Sequence, residues 1–250
     1  MEAILKFLVL AALFVFPSRA QTPSVIPLSS EPHHHLVLHN QYVNVYHVEV
    51  APQDAVLLHR HDFDAISIML DDADVTVHAS GRPDASQHLS GGQIRLQPLG
   101  YAHSTAIEGN KTYRNITVEL LLPQKDESNL CAQVAAGQPL HCPATQAKQE
   151  AGWVDQPQFQ TDRTTVSLLT LQPHQEMVLS NPAGRLLAIA VDGPSLETKA
   201  GKSDARTLNA GEFVWIDKSS DKSGDESSAG QIVRNVTDKV ARIVTFDLRD

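Results

Sequence analysis

The sequence predicts an all-β chain made of two copies of one small barrel, and three observations carry the prediction. Residues 41–122 are a series of short alternating or β-branched runs: Val43–Val50, Ala65–Leu70, Val75–His78, Ile94–Gln97 and Asn115–Leu122. Gly, Pro, Asp and Asn punctuate them, which is the pattern of strands joined by turns in a barrel or sandwich. No stretch of this region carries a sustained helical period. The second half then repeats the first. Laying Val50-Ala51-Pro52 over Leu171-Gln172-Pro173 brings Ile66, Ile68 and Leu70 onto Leu187, Ile189 and Val191 without a gap, and Asp71 onto Asp192. A two-residue deletion aligns Leu89-Ser90-Gly91-Gly92 with Leu208-Asn209-Ala210-Gly211, and Arg114–Leu120 falls on Arg242–Leu248. Three matches in order point to two copies of one β unit.

Taken along the chain, residues 1–20 read as a secretory leader. Lys6 precedes an unbroken apolar run, Phe7–Phe16, and Pro17-Ser18-Arg19-Ala20 offers a small-residue cleavage site before Gln21. The run is about half the ~20 residues that a membrane span needs, and the competing reading is an uncleaved N-terminal anchor. Residues 21–40 form an arm. Its Glu31-Pro32-His33-His34-His35 reads first as plain surface, with a lead-in strand or a weak metal scavenger as the other readings. Residues 41–122 are the first β domain. Pro123–Gln160, rich in Gln, Ala and Pro, is the connection, with a short helix near Leu130–Ala136. It carries both cysteines, Cys131 and Cys142. In an exported chain a pair is most simply a disulfide, worth roughly 2–3 kcal/mol for a short loop; metal binding with His141 is the sharper alternative. Residues 161–250 are the second domain, interrupted by a loop rich in Ser, Asp, Gly and Lys at Ser219–Gly230.

The chemistry concentrates in the first copy. His59-Arg60-His61 places two imidazoles on one face if the segment is a strand, because residues two apart point the same way. A third histidine, His103, ends the stretch Gly92-Gln-Ile-Arg-Leu-Gln-Pro98-Leu-Gly100-Tyr-Ala-His103. These two stretches resemble the paired motifs of the cupin superfamily. The family's first motif has the H-x-H pair followed by a glutamate. Its second, G-x5-P-x-G-x2-H-x3-N, is matched by Gly92, Pro98, Gly100 and His103 at every spacing, with Ile107 where asparagine is usual. The resemblance covers both halves and implies two tandem double-stranded β-helix, or jelly-roll, barrels. It also implies His59, His61 and His103 as metal ligands. The glutamate position is Ala65. Asp64 lies next to it but at an odd offset, and would join the ligands only if a bulge re-aimed it. Imidazoles suit several ions, so the expected cofactor is a divalent transition metal, Fe, Mn, Ni, Cu or Zn.

The second copy has no equivalent site. His59 maps to Ser180, His61 to Pro182, Asp64 to Arg185 and His103 to Lys222, and ten of the twelve histidines precede residue 123. His47 and Tyr101 are further pocket candidates. The acceptor triplets at Asn110, Asn115 and Asn235 read as coincidence, since two fall in or near strands. A net charge of -9 argues against nucleic acid and against an anionic membrane surface. No nucleophile elbow, P-loop or dinucleotide fingerprint is present.

Two readings of function follow. By resemblance the first is a metal-dependent oxygenase or isomerase acting on a small organic substrate. Three histidines without the glutamate look more like the thiol dioxygenase branch, although export argues against cytosolic thiols. The second is a non-catalytic metal-binding, small-ligand or structural protein of the cell envelope. A homodimer through edge strands is compatible with either.

Overall fold

The structure is a computed structural model that describes residues 24–133, 140, 141, 143–180, 184–200, 204–217 and 231–250. The leader, part of the connection and the Ser219–Gly230 loop lie outside the described residues. What is described is strand and turn; its helical pieces are two 3-10 turns, Leu28–Ser30 and Ala144–Gln146. No helix among the described residues is long and apolar enough to cross a membrane.

The first half contains β1 (Ile26–Pro27), β2 (His34–His39), β3 (Val43–Val50), β4 (Ala55–Arg60), β5 (Asp64–Met69), β6 (Ala73–Ala79), β7 (Ala85–Leu89), β8 (Ile94–Gln97), β9 (Ala102–Glu108) and β10 (Tyr113–Leu120). They form two five-stranded sheets, β1-β4-β9-β6-β7 and β2-β3-β10-β5-β8. Residues 21–40 therefore contribute strands to both sheets. Short pieces follow: β11 (Ser128–Asn129), β12 (Ala132–Gln133), β13 (Leu140–His141) and β14 (Lys148–Glu150). The helix expected near Leu130–Ala136 is not formed over its described part, because Ala132–Gln133 pair antiparallel with Leu140–His141. A helix there would leave those paired backbone groups without their partners. Cys131 is buried at 7% exposure, and Cys142 lies outside the described residues.

The second half runs β15 (Trp153–Gln160), β16 (Thr164–Leu171), β17 (Glu176–Leu179), β18 (Arg185–Ala190), β19 (Leu196–Ala200), β20 (Arg206–Leu208), β21 (Phe213–Ile216), β22 (Gln231–Asn235) and β23 (Ala241–Leu248). Its sheets are β11-β15-β16-β23-β18-β21, with β14 beside β15, and β17-β22-β19-β20. Each half is thus an open two-sheet jelly roll.

The internal repeat is legible in the register. Val118 on β10 sits opposite Ile66 on β5, and its counterpart Phe246 on β23 sits opposite Leu187 on β18. Arg114 pairs with Asp71 at 2.6 Å, and Arg242 pairs with Asp192 at 2.7 Å. Gly92 and Gly211 both adopt positive φ, +83° and +86°, where a side chain would be strained. Each donates its N–H back to the strand that the repeat predicts, Met69 O and Ala190 O.

The two halves are not beads on a string. Strand alternation sends Tyr46, Val48 and Val50 into the first half's own interior, with Met69, Val75 and Tyr113. The opposite face of the same sheet is equally apolar. Val43, Val45, Ile66, Ile68, Ile116 and Val118 pack with Phe159, Val166, Leu187, Ile189, Val244 and Phe246 of the second half in one buried cluster. A sheet apolar on both faces must be covered on both. The second half's own interior is a separate cluster around Leu171, Leu186 and Val233. Arg242 reinforces the contact between halves by donating to Gly91 O at 2.6 Å.

Candidate metal centre

The site is built where β4 and β9 lie side by side, with His59 opposite His103 in the register. Val56 and His59 are an odd number of residues apart, so on a regular strand they would face opposite ways. The register shifts between them. That bulge lets both line the same pocket. His61 follows directly. Its N–H donates to Tyr101 O at 3.0 Å, and its carbonyl accepts from Gly100 N at 2.9 Å. Pro98–Tyr101 is a tight turn closed by Tyr101 N–H to Pro98 O at 3.0 Å, with Gly100 at φ +83° where glycine is required. The motif's proline and glycine thus fold the chain back so that His103 faces the H-x-H pair.

His59, His61 and His103 offer ring nitrogens that all lie within 4.8 Å of one another, and all three residues are buried. The His59 and His103 Nε2 atoms are 3.2 Å apart. His59 Nδ1 donates to Leu57 O at 2.8 Å, so its Nε2 carries the lone pair. Both ring nitrogens of His61, and Nδ1 of His103, are buried without a partner. Such atoms are costly unless something satisfies them. Burial, reinforced by neighbouring histidines, pushes His61 down to about 3 and His103 to about 2. Burial takes His59 to about 4, against the pull of Leu57 O and Glu31. Neutral, convergent, underbonded imidazoles are what a divalent metal ion requires. The residues fit such an ion. The space directly at the histidines is about 20 Å³, room for roughly one water-sized sphere.

No family model matches the sequence, and no curated protein does. Solved structures match over most of the chain. AerE from Microcystis aeruginosa aligns with a TM-score of 0.60 and 11% identity, over 91% of this chain and 98% of that one. A cupin 2 conserved barrel domain protein from Leptotrichia buccalis gives 0.52 and 9%, over 86% and 88%. Salicylate 1,2-dioxygenase from Pseudoaminobacter salicylatoxidans, in its adduct with gentisate, gives 0.55 and 10%, over 84% and 70%. This chain has the double cupin fold.

Within the cupin frame, the residues expected at the site sort clearly. Asp64 is not in the histidine group. Its carboxylate accepts from Leu99 N at 2.9 Å, holding the turn that carries His103 into place. His47 lies on the face of β3 turned to the second half, against Gly211, and not in the pocket. Tyr101 packs its ring on both His61 and His103, at 6.4 and 4.7 Å between centroids. Asn115 and Asn235 are buried at 3% and 0%, which bars a glycan at either. In the second cupin Ser180 is exposed and Arg185 stacks on Tyr42, with its guanidinium carbon 4.0 Å from the ring centre. Pro182 and Lys222 lie outside the described residues.

Three residues have roles at the site that the favoured surface reading of the arm, and the strand reading of Asn115–Leu122, did not give them. Glu31, 2% exposed, receives His34 Nδ1 at 2.6 Å, His33 N at 2.8 Å and Leu57 N at 3.1 Å. Burial alone would raise its carboxyl, but the bonds from His34, His33 and Leu57 outweigh that and hold it down to about 2. His34 lines the histidine pocket, its ring 4.9 Å from that of His59. The third is Glu119, 3% exposed and directly across from Ala65, the position of the missing family glutamate. Its carboxylate is bound by Asn44 Nδ2 at 2.8 Å and Tyr46 OH at 3.2 Å, and burial raises it. The run Glu31-Pro-His-His-His could have flagged the first two, since a carboxylate three residues from a histidine suits a turn. No local pattern points to Glu119, which reaches its place only through strand pairing.

Proposed function

We propose that this chain is an exported double cupin that holds one divalent transition metal on His59, His61 and His103 and acts on a small organic molecule beside it. The observation that carries the reading is the group of three buried, neutral imidazoles whose unpartnered nitrogens converge. A metal held there would supply a Lewis acid. The chain's own residues supply the rest. Leu57 O sets the His59 tautomer, the Pro98–Tyr101 turn aims His103, and the buried pocket keeps competing water low. The dioxygenase among the structural neighbours is in keeping with this reading. Export rests on the leader, and the Cys131–Cys142 disulfide goes with it.

The test is elemental analysis of the chain from Gln21, purified without a tag, beside His59→Ala/His103→Ala. About one transition-metal ion per chain, lost in the variant, is expected. No metal in either protein after soaking with Fe, Mn, Ni, Cu and Zn sinks the reading. Glu31→Gln removes the buried anion that orients His34 and the Leu57 peptide. It is expected to lower zinc affinity by about 10–100-fold, measured by competition with a chromophoric chelator; an unchanged affinity would show that Glu31 only ties down the arm.

A non-catalytic binding role is the second reading, favoured by the absence of a carboxylate from the ligand group. Oxygen uptake with any small organic acid or thiol would exclude it.

A further inference from the structure

A second cavity, of about 190 Å³, adjoins the three histidines. That is roughly six waters' share of liquid volume, enough for a small organic molecule. It shares Gln97, His103, Thr105 and Tyr113 with the histidine pocket, so the two spaces open on the same imidazole. Its distinguishing feature is charge: Arg82 and Arg95 line it. Arg95 sits on β8 opposite Ser67, on the face turned into the first cupin, and is half-buried. Arg82 stands on the exposed turn between β6 and β7, at the cavity's outer side.

Neither guanidinium has a hydrogen-bond or ion-pair partner among the described residues. Arg114 and Arg242, by contrast, each hold an aspartate at 2.6 and 2.7 Å. A half-buried guanidinium without an acceptor leaves a planar fork of donors unsatisfied. The buried Gln97 Oε1 also lacks a partner, an acceptor open to a donor on the ligand and not to its carboxylate. Arg95 lines the same cavity as His103 and brings a positive charge to it. The same charge faces any cation held by the histidines. Two cations on one small cavity repel each other unless an anion lies between them.

We propose that this cavity is the carboxylate-binding part of the site. Arg95, with Arg82 at the mouth, holds the carboxylate of a small organic acid whose other end faces His103. A carboxylate matches the guanidinium fork with two parallel N–H···O bonds. The inference deepens the metal reading above and rests on it for what lies at the far end of the acid.

The test uses the chain from Gln21, both loaded with Co(II) and treated with chelator, and two matched probe pairs: acetate with acetamide, and benzoate with benzamide. Calorimetry gives affinity, and the Co(II) visible spectrum reports on the metal's surroundings. At least one carboxylate is expected to bind tenfold or more tightly than its amide. Arg95→Met should cost that carboxylate at least tenfold while Co(II) stoichiometry stays at the wild-type value, and Arg95→Lys should restore part of the loss. Equal binding of acid and amide, binding untouched in Arg95→Met, or no binding of either acid overturns the proposal. A chain that takes up no Co(II) yet binds the acid through Arg95 refutes the metal reading and leaves the carboxylate site standing. Uptake of Co(II) without acid binding refutes the carboxylate site alone.

Discussion

Metal-free protein is expected to lose most of its stability between about pH 6.5 and pH 4.5, well above the range where carboxylates usually drive acid unfolding. The cause is the histidine group. Burial holds His59, His61 and His103 at about 4, 3 and 2, whereas an unfolded chain protonates its histidines near 6.5. Below that value the unfolded state takes up protons that the folded state refuses. Stability therefore falls with falling pH, by about 1.4 kcal/mol per unit for each histidine. Over two units and three residues the loss is on the order of 5 kcal/mol or more, comparable to the whole stability of a typical domain. Glu31 does not offset this. Its carboxyl is depressed to about 2, so its contribution is present above the ordinary carboxylate range and is lost only as pH falls toward 2. Glu119, Asp155 and Asp247, raised by burial, work the other way and return some stability as they protonate. Urea midpoints of the chelator-treated chain against pH measure the effect. His61→Leu, which removes two unpartnered buried nitrogens, should flatten the curve. A midpoint that stays level down to pH 4.5 would mean that the three rings are solvated in the metal-free protein.

Phe246→Ala is expected to unfold both cupins together, at a cost of about 3–5 kcal/mol. Phe246 is fully buried on β23, between Val166 and Leu187, in the cluster that joins the halves. Truncating a ring there opens a cavity on a surface that each half needs in order to cover its second apolar face. Because the first sheet depends on the same contact, the loss should reach the histidine pocket on the far side of it. The measurement is thermal unfolding followed by far-UV circular dichroism, with zinc affinity as a second readout. Two separated transitions, with zinc binding intact after the first, would show that the halves are independent.

Much of this architecture was legible in the chain itself, because strand alternation and turn chemistry are local. Val43–Val50 and Ile94–Gln97 form strands with the bounds that their apolar runs suggested. The repeat placed Asp71 with Asp192 and Arg114 with Arg242, and each half does pair its own arginine and aspartate. The spacing of Gly92, Pro98, Gly100 and His103 specifies a turn, and a turn decides where the next side chain points. His59, His61 and His103 could therefore be named together from sequence. Tertiary structure decided what depends on residues distant in the chain. The β4 bulge that brings Val56 and His59 onto one face arises from pairing with β9. Asp64 became a clamp on the Leu99 turn because its carboxylate meets a backbone N–H 35 residues away. His34, plain in a surface arm, came to line the pocket, with Glu31 anchoring it from behind, because β1 pairs with β4 and β2 with β3. A buried carboxylate and an unpaired arginine acquire their chemistry from desolvation and neighbours, and only the packed fold supplies both.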